Sequence, residues 1–190
     1  MPRNKKILKF TFQGIALAIV VAGAFYLANF ARESEAVQEV ISTYGYFGVG
    51  VVALISGFNL AVPVPAVAFM PLFLESGFNF WISIFFLVAG VTVADFVAYY
   101  IGKLGRHITL YSRDGNMLAR LERIREQYRW GPLVALFLFI SFVPFPNEIL
   151  LIPLGFLGYT FYRLLPIVIV GNFLFNILYS TGAVGLFEIL

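Results

Sequence analysis

The chain has 190 residues, of which 61% are hydrophobic and 12% charged, with a formal net charge of +3. Ordinary soluble domains carry about 25% charged residues. With a mean hydropathy of +0.89, this composition leaves too little polar surface to cover a water-soluble fold and predicts an all-α integral membrane protein. The lack of cysteine removes disulfide, thiol and cysteine-ligated metal chemistry, and the single histidine, His107, narrows the imidazole options.

The N-terminus places Arg3, Lys5, Lys6 and Lys9 around the start of an apolar run from Ile7 to Phe30. Signal-peptide cores run to about 7–15 residues, so this longer run predicts a retained transmembrane helix. Ser34, a candidate N-cap, opens a short acidic helix reaching Tyr44. Residues 1–46 therefore form an N-terminal unit, and residues 47–190 one compact membrane domain.

Within that domain the apolar stretch Gly48–Leu74 is broken by Pro63 and Pro65, and Phe80–Ile101 is uninterrupted. A polar linker follows over 102–130. The stretch Pro132–Leu157 is then broken by Pro144 and Pro146, and Leu164–Leu186 is again uninterrupted.

A shift of 81 residues superimposes the two halves without a gap. Gly50 falls on Gly131, Phe58 on Phe139, and Val62, Pro63 and Pro65 on Val143, Pro144 and Pro146. Gly77 falls on Gly158, Phe80 on Phe161, Gly90 on Gly171, and Asp95 on Asn176. Repeat 1 spans about 50–101 and repeat 2 about 131–186.

Each proline pair removes two backbone donors and disfavours helix at the preceding residue, and neither half of a broken stretch is comfortably long enough to span alone. Two architectures follow. In the preferred one, each broken stretch is a re-entrant hairpin followed by a spanning helix, so each unit crosses once and the second copy is inverted. In the other, each broken stretch is a kinked spanning helix.

The inverted arrangement with a cytoplasmic N-terminus puts the 102–130 linker and Arg163 inside, with 12 of the 13 lysines and arginines. That is the expected cytoplasmic bias. In the linker, Arg113, Arg120, Arg123, Arg125 and Arg129 alternate with Met117, Leu118, Leu121 and Ile124 at helical spacing. This predicts an amphipathic helix on anionic lipid headgroups rather than a nucleic-acid surface.

Two acids, Asp95 and Glu148, lie within the apolar body. Ionisable groups at membrane depth cost at least about 2.5 kcal/mol and usually face a partner or water. Glu148, two residues after Pro146, sits where a broken backbone opens a cavity, as a protonatable or headgroup-facing group or as a partner for local backbone donors. Asn147 beside it can bind a phosphate.

Asp95 is expected to bond Tyr99 or Asn176. Asn172 and Asn176 share a helical face and either point at the same cavity or join helices. Lys103 and Arg106 are candidates for attracting headgroups or ordinary interfacial anchors. No nucleophile–base set, phosphate-cradling loop or metal-ligand cluster is present, so neither an enzyme nor a metal or cofactor is expected.

Together the paired proline breaks, the pattern Gly90, Asp95, Tyr99, Gly102, Lys103 and Gly105, and Phe142-Val143-Pro144 resemble the DedA family, also called SNARE-associated Golgi or VTT-domain proteins. The likeness covers about residues 44–182. It implies two inverted hairpins meeting near the midplane and movement of phospholipid or polyprenyl phosphate between leaflets, with Asp95 and Glu148 along the path.

The chain departs from the family pattern at Ala66, where an acid is common, and at Ser141 and Asn147, where arginines are common. The expectation is an ATP-independent flippase or scramblase of the plasma membrane, with membrane lipids, protons and a second copy of the chain as admissible partners. The alternatives are a proton-coupled transporter of a small solute or ion and a non-transporting scaffold.

Overall fold

The computed structural model describes residues 34–58, 65–111, 123, 126–127 and 130–187, with no strand among them. The expected N-terminal helix, Val62, Pro63 and most of the basic linker, including Arg113, Arg120, Arg125 and Arg129, lie outside the described residues.

Helix α1 (Glu35–Tyr44) meets α2 (Tyr46–Gly57) at Gly45. Ser34 occupies the expected N-cap position, yet only its backbone carbonyl serves the helix, accepting from Val37 and Gln38 at 3.1 Å each. After the first proline break come a 3-10 turn (Ala66–Phe69), α3 (Met70–Glu75) and the long α4 (Phe80–Tyr111). The second half comprises α5 (Gly131–Phe142), α6 (Glu148–Leu157) and α7 (Phe161–Phe187).

Proline and glycine punctuate these elements. Val143, ahead of Pro144, is extended (φ −107°, ψ 115°), as steric conflict with the proline ring requires. Gly77 and Gly158 both have φ +83°, and each closes its helix with the same wrapped turn: Phe78 N donates to Phe73 O (3.0 Å) and Tyr159 N to Leu154 O (3.1 Å). A left-handed glycine after the last helical residue permits this cap. Asn79 then caps α4, its Oδ1 accepting from Trp81 N (3.0 Å) and Ile82 N (3.3 Å).

Helix α4 continues ten residues past the expected boundary at Ile101, so Lys103, Arg106 and His107 belong to it and not to a separate linker. Leu104 and Ile108 continue the apolar spacing, and no proline interrupts the helix. Phe80–Ile108 (29 residues) and Phe161–Thr181 (21 residues) are long and apolar enough to cross a bilayer. They reach roughly 43 and 31 Å against a hydrocarbon core of about 30 Å.

The two long helices pack against each other with their contacts in opposite order. Phe161 meets Phe96 and Tyr99, Asn172 meets Thr92 and Asp95, and Ile177 joins the cluster around Ile84 and Leu87. Helices α2 and α5 lie on α4 and α7 respectively, while the shorter arms cross over, α3 against α7 and α6 against α4. Tyr46, at the start of α2, accepts a hydrogen bond from Asn79 N (2.8 Å) and packs on Phe78 (ring centroids 4.8 Å apart), so the two ends of the first broken stretch meet.

Among the described residues two hydrophobic clusters form the interior, one around Val49, Met70, Phe73 and Ile84, the other around Tyr99, Leu136, Leu151 and Leu164. The outward faces are apolar too: Phe85, Ile101, Leu104 and Ile108 on α4 and Ile169, Val170, Phe173 and Leu178 on α7 are exposed. So large an uncovered apolar surface is uncharacteristic of a soluble monomer.

Small residues bring the helix backbones together. A Cβ on Gly102 would run into the carbonyl of Ile152, and one on Gly155 into the carbonyl of Tyr99, so α4 and α6 touch main chain to main chain. Gly102→Ala and Gly155→Ala are each expected to destabilise the fold by about 1–3 kcal/mol through overpacking. Gly131→Ala, which meets open space, should leave stability nearly unchanged, and thermal melting of the purified variants in detergent checks the contrast.

Candidate functional site

The two proline breaks come together on one cavity of about 220 Å³. The first break contributes Pro65, Ala66 and Val67, and the second contributes the run from Val143 to Asn147. Asn172 and Asn176 on α7 complete the polar part of the wall, with Ser56 near the end of α2. Prolines form the breaks because they cannot continue a helical ladder. Two of their carbonyls are taken up locally as the helix restarts, Pro65 O accepting from Ala68 N (2.9 Å) and Pro146 O from Ile149 N (3.2 Å).

Behind the wall lies Asp95, 1% exposed in the middle of α4. Its Oδ2 accepts from Asn172 Nδ2 at 2.7 Å and from Asn147 Nδ2 at 3.2 Å. Asn147 Nδ2 also reaches Asn172 Oδ1 (3.2 Å), and Asn172 Nδ2 lies 3.4 Å from Thr92 Oγ1. Asn176 Nδ2 donates to the Asn172 carbonyl at 2.8 Å, closing a chain of amides. A carboxylate accepts hydrogen bonds only, which turns both amide nitrogens toward it.

The partners of Asp95 therefore differ from those expected. Tyr99 gives its hydroxyl to Tyr159 O instead (2.7 Å), because it lies on the part of α4 that meets the start of α7. Asn176 sits one turn beyond Asn172 and spends its amide on its own helix. Thr92, one helical turn before Asp95, joins the network without having been singled out from the sequence; its i, i+3 spacing on the same face was the available signal.

Glu148 is 4% exposed in the first turn of α6, next in sequence to Asn147, which bonds Asp95. Neither acid forms part of the cavity wall, whereas the three asparagines do. Lys103 and Arg106 stand away from it: the Lys103 ammonium lies 5.3 Å from the Tyr100 ring centroid, and the Arg106 guanidinium covers Gly158 at the end of α6. A cation beside a helix C-terminus complements the exposed carbonyls there.

Of the residues picked out from the sequence, Asp95, Asn147, Asn172 and Asn176 converge, with Glu148 adjacent. Pro65, Pro144 and Pro146 line the same cavity, and Pro63 lies outside the described residues. Tyr99 packs in the second hydrophobic cluster. Among the described residues no group of three metal-ligating side chains occurs.

Comparison with protein-family models, with curated proteins and with solved structures gives no match to this chain.

The amide network makes Asn172 the bond on which Asp95 most depends. Asn172→Leu should cost about 1–3 kcal/mol, the penalty for leaving a buried polar group without its partner. Combining it with Asp95→Leu should recover part of that loss. A double-mutant cycle on melting temperature measures the coupling, and strict additivity would mean the two residues do not support each other.

Proposed function

We propose that the chain is a multi-pass membrane protein of two inverted repeats that carries a lipid from one leaflet to the other without ATP, sheltering the headgroup in the cavity between the proline breaks. The observation that carries this reading is the cavity itself: an amide wall backed by a buried carboxylate, between two long helices whose outer faces are apolar. A polar passage inside an apolar exterior suits a headgroup that must cross while its tails stay in lipid.

Several features support inverted repeats with re-entrant arms. The two long helices run in opposite directions, the ends of the first broken stretch meet at Tyr46 and Asn79, and the wrapped glycine turns at Gly77 and Gly158 recur at the repeat spacing. Irregular backbone at membrane depth is tolerated when it is buried in protein or lines a cavity, and transporters place their sites at such interfaces. The resemblance to DedA proteins points the same way, with the weight of analogy only. The distribution of lysine and arginine supports a cytoplasmic N-terminus and basic linker, and the plasma membrane is the membrane proposed for the chain.

A second reading, a secondary transporter of a small solute or ion, is favoured by Asp95, whose deep burial suits a coupling group. Exchange of fluorescent phospholipid and polyprenyl phosphate in proteoliposomes, with a proton gradient on or off, separates the two. Under the lipid reading, wild-type protein accelerates exchange and Asp95→Asn reduces it at least about tenfold, a barrier change near 1.4 kcal/mol, while remaining monodisperse. No exchange of either lipid under any gradient would pass the case to the transporter, and absence of all flux to a scaffold.

The chain lacks cysteine, so single-cysteine labelling reads topology directly. In the re-entrant arrangement Thr43→Cys and Ser76→Cys, which flank the first broken stretch, react with an impermeant thiol reagent from the same side. Labelling from opposite sides would establish kinked spanning helices instead.

A further inference from the structure

The basic residues late in α4 take no part in the cavity wall; they stand among aromatic rings. Along α4, Phe96 and Tyr100 pack with ring centroids 4.6 Å apart. Phe161, the first residue of α7, lies 4.8 Å from Phe96 and 5.1 Å from Tyr99. The Lys103 ammonium sits over the Tyr100 ring at one end of this row, 5.3 Å from its centroid. Tyr162, 86% exposed, and the exposed Arg163 follow Phe161 at the other.

Charge at this corner is of one sign. Among the described residues neither Lys103 nor Arg163 makes an ion pair, and Arg106 folds its guanidinium over Gly158. Asp95 and Glu148 are buried. Of the exposed acids among the described residues, Glu35, Glu39 and Glu75 lie on elements that meet the start of α4, at its opposite end, and Glu126 is three residues from Arg123 in the linker.

Helix length sets the depth of the corner. Asn79 caps the start of α4, and the 61% exposed Trp81 marks that end as an interfacial tryptophan does. A hydrocarbon core of about 30 Å takes roughly 20 residues from there, which reaches Tyr100 and Ile101. Lys103 therefore stands at headgroup level. Arg163 joins it there, because α7 begins opposite Phe96 and Tyr99 and an arginine head extends from its stem toward water. From Lys103 back toward the middle of the bilayer, α4 exposes Ile101, Val97 and Val93 at i, i+4 spacing, with Phe96 beside them. That apolar strip is roughly 15 Å long, the depth of one leaflet's chains.

An interfacial anchor requires only a charge that faces water. Here two cations flank a row of rings, one of them held over an aromatic face, and an apolar strip of one leaflet's depth runs from them. Cations of this kind favour an anionic phosphodiester through charge-assisted hydrogen bonds, and the strip gives a lipid's chains a surface that a soluble phosphate has no use for. We propose that this corner binds one anionic glycerophospholipid of the adjoining leaflet, its phosphodiester held by Lys103 and Arg163 and its chains laid along Phe96, Val97 and Ile101. The inference rests on the chain spanning a bilayer and not on lipid movement: the site lies outside the cavity, and a chain that transports nothing would still hold its lipid.

The test uses the full-length protein in detergent, titrated with phosphatidylglycerol, with phosphatidylcholine of the same chains, or with glycerol phosphate, and read by native mass spectrometry of the retained ligand. Phosphatidylglycerol is expected to fill one distinct site per chain, and the other two ligands to bind at least about tenfold more weakly. Lys103→Gln combined with Arg163→Gln should weaken phosphatidylglycerol at least about tenfold. Arg123→Gln, which removes a linker cation, should change it less than about twofold. If the double variant does not fold, Arg163→Gln alone, at an exposed position, carries the comparison.

Equal retention of phosphatidylcholine would overturn the proposal, as would glycerol phosphate binding as strongly as the lipid. So would retention unchanged in the folded variants, or an equal loss in Arg123→Gln, which would make the effect one of overall charge. Lipid exchange in proteoliposomes is a separate readout: retention without exchange would sink the lipid-carrier reading alone, and exchange without retention would sink this inference alone.

Discussion

A carboxylate in the middle of an apolar helix is the constraint around which the rest of this structure is arranged. Asp95 is buried where water cannot solvate it, and an uncompensated charge in such a place costs several kcal/mol. Its compensation comes from Asn147 in the second proline break and Asn172 on the opposite long helix. One oxygen atom thus ties together a helix, its antiparallel partner and an irregular segment that has no helical ladder of its own. Side chains tie the break to the long helices, while its backbone keeps only short local bonds, Phe145 N to Val143 O (2.8 Å) and Ile149 N to Pro146 O (3.2 Å).

Proline and glycine divide the remaining work. The prolines interrupt the short arms, and Pro65, Pro144 and Pro146 stand in the cavity wall. The glycines let the arms approach the long helices closely enough to form a wall at all: Gly90 meets the carbonyl of Gly50, and Gly102 and Gly155 bring α4 and α6 into main-chain contact. In an apolar surrounding, where burial supplies little net drive for helix association, such contact is a principal source of cohesion. The same geometry explains how a cavity persists between short helices that are individually marginal.

Much of the local structure was legible in the chain. The apolar runs, proline breaks and glycine turns each act over a few residues, through steric exclusion and backbone freedom, and the helices begin and end near them. The acids and amides could be picked out because polar side chains are conspicuous in an apolar run. Their pairings could not. Asp95 was expected to bond Tyr99, four residues away, or its repeat counterpart Asn176, whereas its partners lie 52 and 77 residues distant. Which of several amides on one helix face meets a carboxylate depends on the rotation of α7 against α4, and no short-range preference encodes that. The extension of α4 to Tyr111 was missed for a related reason: basic residues mark an interface in sequence but do not stop a helix.

Composition and periodicity by themselves determined that the chain is helical, that three of its segments, Ile7–Phe30, Phe80–Ile101 and Leu164–Leu186, are apolar over a bilayer-crossing length, and where the helical ladder must fail. These are consequences of covalent geometry and of hydrophobicity, which act residue by residue. The tertiary structure alone decided that both proline breaks wall one cavity and that Asn147 and Asn172 turn their amide nitrogens onto Asp95 while Asn176 bonds its own helix. Those properties arise from the directions in which hydrogen-bonding groups point once separate segments share a volume, and direction is not a property of any single stretch of chain.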